Sequence, residues 1–516
     1  MSAPFPLLGS LRPAPPAAPG VRESLLILSD VHLGSDLNAH ARAVDDSRSS
    51  PVDRDLVDLL RHYRSEKPPV EGEPRRERWR LVIAGDFIDF IGMSIRADAG
   101  ELETPPDDEE LEHGLGSASD HARLKLSHVV RRHARIFDAL GELLADGHAI
   151  TFVHGNHDSE LQWASVQRGL RELLRARAAA AGDVGDVDAR VEFQPWFFYV
   201  DGVAYVEHGH QYDTMCATEH LLAPLSPLDP RRLARGFTDV LLRYVVRPTR
   251  GLREHGHERM RLFDYLAFAA RLGVGGMLAL GGRFVRAIAA LLRLRRLHLG
   301  DAAKALRAEH DRRVEALATA TKVGLDKLRA LAALQAPPIT RTVGGILGSL
   351  MVDSLFLHAA GALATVAVVA LLAWHPWHGA WAAALPLLAG AWIGLQTRFA
   401  RARTIDPAAA LAERAHHLAR LFPTAFVVMG HTHVPTTQPI AHTSATYVNL
   451  GSWADEAADA ESGEVSHHPS RTHLVIHRGD GGPTAELRAW DPTRRAPARF
   501  EQGTREPPGG RARAHA

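Results

Sequence analysis

Five short segments of this chain carry side chains suited to binding cations. They are Asp30-Val31-His32, Gly85-Asp86-Phe87-Ile88-Asp89, Gly155-Asn156-His157-Asp158, His208-Gly209-His210 and Gly430-His431-Thr432-His433. Two divalent ions about 3.5–4 Å apart can clamp a phosphoryl group and activate a water. Such a pair needs hard oxygen donors, imidazoles and one carboxylate shared by both ions. Asp30 and His32 are two apart, so in an extended segment they face one side. Asp86 follows a glycine turn and is the natural shared carboxylate. Asn156 offers a neutral amide oxygen, which limits the charge set against an anionic substrate. His208, His431 and His433 complete the set, the last two again two apart. His208 is preferred to His210 because it comes first after its apolar run; His210 is left to touch substrate. Asp89 reads as a carboxylate that fixes a turn or supports a ligand, and Asp213 is left undecided. Asn449 and Ser452 read as loop-structuring. His154, His121, His128, His133, His416 and His417 read as packed or solvated histidines.

Each segment sits at the end of a short apolar run: Leu25–Leu28, Leu81–Ala84, Ala149–Val153, Val203–Val206 and Ala425–Met429. Short, apolar, partly β-branched runs read as buried strands. Ligands of open α/β sheets bind beyond the carboxyl ends of strands, where the loops converge. Helical patterns lie between them, at His121–Leu144 and Pro407–Leu421. Thr446–Leu450 reads as a further strand, and Thr472–His477 with Ala485–Trp490 as a hairpin. The acidic stretch Asp98–His113 reads as a solvated loop. The ends, 1–22 and 493–516, read as a disordered leader and tail, with no signal peptide at the start.

The chain has 516 residues, 46% hydrophobic and 23% charged, with Lys+Arg and Asp+Glu both 60. That balance gives no electrostatic argument for nucleic acid. One cysteine, Cys216, excludes an internal disulfide framework and fits a reducing compartment.

About 220 residues separate His208 from His431, far more than a βα connection needs. Within them, Ser354–Thr397 contains no Asp, Glu, Lys or Arg. The run is about twice the ~20 residues that span a bilayer. His375-Pro376-Trp377-His378 interrupts it, so 355–396 reads as a transmembrane helical hairpin with Trp374, Trp377 and Trp381 at its turn. Arg341 on one side and Arg398, Arg401 and Arg403 on the other place its outer ends in the cytoplasm. A hairpin returns the chain to its starting side, so His431 can still meet His208. Upstream, Asp264–Leu297 mixes apolar residues with arginines and reads as an amphipathic segment, either on an anionic lipid surface or with a solvated basic face. Asp301–Leu334 reads as a long charged helix with no chemistry. The domains expected are 23–215 and 404–492, one catalytic unit in two parts, split by a helical insertion at 216–403.

The pattern D-x-H, G-D-x-x-D, G-N-H-D, H and G-H-T-H resembles the calcineurin-like metallophosphoesterase superfamily. The resemblance covers Ser24–Asp213 and Ala408–Asp491 and leaves out the insertion. It implies an α/β sandwich of two mixed β-sheets flanked by helices, here interrupted by the all-α insertion. It implies one ion held by Asp30, His32, Asp86 and His433, and a second by Asp86, Asn156, His208 and His431. It also implies in-line attack on phosphorus by a bridging hydroxide, with His157 at the leaving oxygen and Asp158 orienting its ring. The mixed oxygen and nitrogen set suits Mn²⁺ first, with Fe, Zn²⁺ or Co²⁺ open. Ser29–Gly34 and His208–Asp213 are similar to the UDP-2,3-diacylglucosamine diphosphatase branch, which cleaves a lipid-linked pyrophosphate. That branch usually has Arg where this chain has His157, and it lacks a transmembrane hairpin. The expectation is therefore a phosphoesterase of the inner membrane, its catalytic domain facing the cytoplasm. Its partners are membrane lipids and a lipid-linked or other amphipathic phosphate, not nucleic acid. A nuclease, a soluble-substrate phosphatase of the same superfamily, or a membrane-tethered scaffold with a vestigial metal site are the alternatives.

Overall fold

The computed structural model describes residues 8–9, 21–37, 51–66, 76–97, 100, 102–182, 185–249, 252, 262–298, 300–374, 378–402, 406–454, 470–479 and 481–501. Nearly all of the expected leader, the tail beyond 501, the hairpin turn at 375–377 and Arg403 lie outside these residues.

Walking the chain, β1 (Val21–Leu28), α1 (Pro51–Ser65), β2 (Arg76–Ala84), α2 (Asp108–His113), α3 (Ser119–Arg132), α4 (Ala134–Ala145) and β3 (Ala149–Val153) come first. They are followed by α5 (Ala164–Ala181), β4 (Val191–Gln194), β5 (Phe197–Val200) and β6 (Ala204–Glu207). The helices α6 (Phe237–Leu241), α7 (Leu262–Arg271), α8 (Gly273–His298), α9 (Asp301–Thr321) and α10 (Leu325–Ala333) come next. Then come α11 (Val343–Ser349), α12 (Val352–Trp374), α13 (His378–Ala402) and α14 (Pro407–Leu421). The chain closes with β7 (Phe426–Met429), β8 (Thr436–Pro439), β9 (Thr446–Asn449), β10 (Thr472–Gly479), β11 (Gly482–Asp491) and β12 (Ala496–Arg499).

The strands form two mixed sheets. One has seven strands in the order β12-β11-β10-β1-β2-β3-β4, the other five in the order β5-β6-β7-β9-β8. Side chains alternate faces along a strand, and β1 shows the consequence. Leu25 and Ile27 join Val82, Ala84, Val206, Val428 and Val448 in an apolar layer shared by both sheets. Leu26 and Leu28 point the other way, toward residues of α1, α4 and α5. The outer face of the second sheet is covered by α9, α10 and α14 through Leu317, Leu328, Leu411 and Leu418. The molecule is thus α/β, with helices outside two facing sheets. Parallel neighbours β1, β2 and β3 end on the same side, as do the parallel neighbours β6 and β7.

Some expectations change. The helix read over His121–Leu144 is two helices, broken at His133, whose backbone leaves helical geometry (φ −112°, ψ 33°). Its ring is held from both sides, Nδ1 2.9 Å from Asp53 and Nε2 accepting from the Gly34 amide at 3.2 Å. The acidic stretch before His113 is not only a solvated loop. Its end forms α2, closed by a capping box between Asp107 and Glu110. The helix is then gripped by arginines from beyond β6. Arg232 makes two bonds to Glu110 (2.6 and 2.8 Å), Arg235 and Arg243 meet Glu109, and Arg286 meets Glu112 at 2.8 Å. The segment after Pro492, read as disordered, includes β12, which pairs with β11.

Among the described residues two helices are long and apolar enough to cross a membrane, Gly273–Arg296 in α8 and Val352–Leu371 in α12; α13, the expected second arm of the hairpin, is not one of them. α12 packs along α13. Gly361 lets the Trp392 indole close in, since a Cβ there would stand 2.9 Å from it. The Gln396 amide lies 3.3 Å from His358 Nε2, while Nδ1 of that ring meets the Ser354 carbonyl at 2.7 Å. Phe356, Leu363 and Trp374 stand exposed on α12.

Candidate metal centre

The loops leaving β1, β2, β3, β6 and β7 meet at one point, and their backbones are unusual there. Asp30, His32, Asp86, His431 and His433 all have positive φ, between 52° and 70°. A side chain in that region costs of order 1–3 kcal/mol and persists where the surroundings enforce it. The enforcing contacts are visible. The amides of Val31 and His32 both donate to the Asp86 carbonyl (3.0 and 2.9 Å). The amides of Trp453 and Ala454 and the Ser452 hydroxyl donate to the Asp30 carbonyl (3.0, 2.9 and 3.2 Å). Asn449 Nδ2 donates to the Gly430 carbonyl at 2.7 Å. Two glycines are required by proximity. A Cβ at Gly155 would stand 2.1 Å from Asp86 Oδ1, and one at Gly85, where φ is +89°, 2.4 Å from His208 Nδ1.

The donor atoms crowd together. His433 Nε2 is 3.1 Å from Asp30 Oδ1, and His32 Nε2 is 4.0 Å from the same oxygen. Asp86 Oδ2 lies 3.8 Å from His32 Nε2 and 3.1 Å from His208 Nε2, so one carboxylate oxygen faces both halves of the cluster. Its other oxygen accepts from the His157 amide at 2.8 Å. His208 Nδ1 donates to the Ala84 carbonyl at 2.9 Å, which leaves Nε2 as the lone-pair nitrogen of the neutral ring. That nitrogen is also 3.1 Å from Asn156 Oδ1. Three electron-rich atoms therefore converge in a buried place, an arrangement that needs a proton or a cation among them. Ligands at right angles on bonds of about 2.1 Å put donor atoms about 3 Å apart. The closest pairs here match that spacing, so the residues fit a divalent ion.

His431 donates its amide to Asp30 Oδ2 (3.1 Å), and its Nε2 is 3.1 Å from Asp213 Oδ2. Nδ1 is thus the nitrogen it has left for an ion, and Asp213 is the carboxylate that orients the ring. Cys216 lies beside Asp213 and His431. Burial and the Asp213 charge push its thiol well up. His210, the competitor of His208, has its ring 5.4 Å from that of His208 and its Nε2 against Gln211.

His157 stands against His32, ring centroids 4.6 Å apart. Its orienting carboxylate is Asp89, with Oδ1 at 2.8 Å from Nδ1. Asp158, expected in that role, is occupied elsewhere. Its two oxygens accept from the amides of Gly155 (2.6 Å) and Phe87 (2.8 Å), tying the β3 loop to the β2 loop. The adjacency of Asp158 to His157 in sequence misled; the three-residue spacing of Asp86 and Asp89 was the available signal. His154 is buried near Arg313 and takes no part in the cluster, and His121 is buried against the Thr104 carbonyl.

The charges respond to this crowding. Burial would raise Asp30, but His433 and His208 outweigh it and bring it down to about 2. Asp86 is likewise held well below the carboxylate range against its burial, chiefly by His208 and His157. Asp89 is held low against burial by His157, His32 and Arg247. Burial, then the neighbouring His157, brings His32 down to about 4. Burial opposes charge on His208, but Asp86 and Asp30 carry it up to about 9. Burial and the Asp86 charge raise Asp158 to about 7.

Comparison of the sequence with known protein families and with curated proteins returned no match.

Proposed function

We propose that this chain is a membrane-associated, two-metal phosphoesterase resembling the calcineurin-like metallophosphoesterases. The observation that carries the reading is His208 Nε2 lying 3.1 Å from both Asp86 Oδ2 and Asn156 Oδ1, with the other nitrogen of His208 already engaged. Asp30, His32, Asp86 and His433 would hold one divalent ion, and Asp86, Asn156, His208 and His431 the other. When bound, two such ions supply charge neutralisation for a phosphoryl group and activation of water. The protein's own groups supply the rest. Asp89 holds the His157 ring at Nδ1, and His157 would protonate the leaving oxygen. Asp213 keeps His431 turned, and Asp158 keeps the β2 and β3 loops in register. The neutral Asn156 keeps net negative charge down where an anionic substrate must approach.

The α12–α13 pair supports a membrane hairpin whose outer ends, near Arg341 and Arg398, lie on the cytoplasmic side of the inner membrane. An amphipathic or lipid-linked phosphate is the substrate class that suits a catalytic unit tethered there. Detergent-solubilised protein loaded with Mn²⁺ should hydrolyse an aryl phosphodiester or phosphomonoester. Asp86→Ala should lower the rate by at least the order of ~10³ and remove bound metal, read by elemental analysis. Undiminished turnover in that variant, or after chelation, rules the mechanism out.

A further inference from the structure

α8 meets the length and composition of a membrane span, yet its surroundings argue for a different placement. Leu280, Ala287 and Leu291 are spaced seven and four apart, which sets them on one stripe. All three are buried together with Phe237, Val240, Val245 and Ile346. Its arginines are also engaged within the protein. Arg283 donates to Thr249 Oγ1 at 2.8 Å, Arg286 to Glu112 on α2 at 2.8 Å, and Arg295 to the Arg341 carbonyl at 3.0 Å. A helix tied along its length to α2 and α6 cannot also run through hydrocarbon.

The opposite stripe is unlike the surface of a water-soluble helix. Val274, Leu278 and Val285 are 72%, 69% and 66% exposed, and Ala289 continues the line. Arg271, the last residue of α7, and Arg293 and Arg296 of α8 are exposed at the ends and along one edge. No acidic residue occurs from Arg271 to His298. An apolar line edged only by cations matches an anionic lipid surface, where apolar side chains enter the acyl boundary and arginines meet phosphates. Continuity points the same way. Ile346 of α11 packs on the inner stripe of α8, and α11 leads through Met351 straight into α12. The base of the hairpin and α8 are therefore neighbours.

We propose that α8 lies in the plane of an anionic bilayer as a second membrane contact beside the hairpin, seating the catalytic unit on the headgroups. This rests on the membrane reading of α12 and α13. It has a consequence for the site, because the turn α8 packs against (Leu242–Thr249) also carries Arg247, one of the charges acting on Asp89. The residues that position His157 would then lie one helical layer from the lipid phosphates.

The test uses the full chain with Cys216→Ser, reconstituted in vesicles containing anionic lipid. Single cysteines carry an environment-sensitive fluorophore at Leu278→Cys on α8, Val366→Cys on the hairpin and Arg312→Cys on exposed α9. Ala289→Cys replaces Leu278→Cys if the latter does not fold. The α8 probe should lose emission to lipids brominated near the headgroup more than to lipids brominated at mid-chain. The hairpin probe should show the reverse order, and the α9 probe only aqueous iodide quenching. Charge reversal by Arg293→Glu with Arg296→Glu should weaken the α8 quenching. If the α8 probe is as open to iodide as the α9 probe while the hairpin probe stays in lipid, this inference fails and the hairpin stands. If the α8 probe is quenched most from mid-chain, α8 spans and the inference also fails. If all probes report water, the membrane reading itself falls.

Discussion

Two buried clusters of charge lie in this molecule, and they are built on opposite terms. Around α2, the buried and half-buried carboxylates meet guanidiniums: Glu110 with Arg232, and Glu109 with Arg235 and Arg243, while Glu112 meets Arg286 at the surface. In that cluster the carboxylates of Glu109 and Glu110 already face cations of the chain. At the meeting of the strand ends, Asp30, Asp86, Asn156, His208 and His433 aim acceptors at one another, and five of the backbones there are held at positive φ. Charge and burial alone do not separate the two. What separates them is whether each acceptor has a donor or cation within the chain. The first kind of cluster joins parts of a protein; the second is kept strained and electron-rich, which is useful only if something positive binds.

That contrast can be broken most severely at Glu110. Glu110→Ala removes the carboxylate that takes two bonds of Arg232, which keeps Asp229 and the Pro105 carbonyl, and the lost charged hydrogen bonds cost about 1.5–3 kcal/mol. Unfolding should show that loss, while metal content at saturating Mn²⁺ stays unchanged in the protein that remains folded. A drop in metal stoichiometry would mean that the two clusters are coupled. A smaller effect is expected at Asp89. Asp89→Asn keeps the shape but weakens the hold on His157, and removal of such an orienting partner typically costs about 10–100-fold. It should appear in kcat with metal content intact, whereas Asp158→Asn should disturb loop packing and thermal stability more than kcat. The finest test is pH. In metal-free protein His208 is raised to about 9, so its contribution to stability is full below about 6.5 and is lost as pH rises through 9. Asp158, raised to about 7, also favours the folded state at lower pH, its effect declining between about 4 and 7. Metal-free Tm should therefore fall from pH 6.5 to 9. Mn²⁺ affinity should rise over the same interval, because an ion must displace the His208 proton. Parallel trends would place the proton elsewhere.

Much of the site was legible because its parts are local. An apolar run followed by a donor says both where a strand ends and what is offered there, and the strand ends at Leu28, Ala84, Val153, Glu207 and Met429 fall beside the donors. The pairings were not legible, because they depend on which way a side chain turns in a tight loop. Asp158 follows His157 directly yet faces the Gly155 and Phe87 amides, whereas Asp89, far along the chain, reaches the ring. The α2 cluster was hidden for a related reason. Its acids look solvated in sequence because their arginines lie more than a hundred residues further on. Likewise β12 carries little apolar signal and owes its order to β11.

The order of the chain adds a safeguard of timing. Asp30, Asp86, Asn156 and His208 leave the ribosome long before His431 and His433, and α12 and α13 emerge in between. Until β10 arrives, β1 also lacks its antiparallel neighbour. A chain that stalls or is cut before Met429 therefore holds an incomplete donor set on an unfinished sheet. The full donor set cannot assemble before its apolar helices have been made.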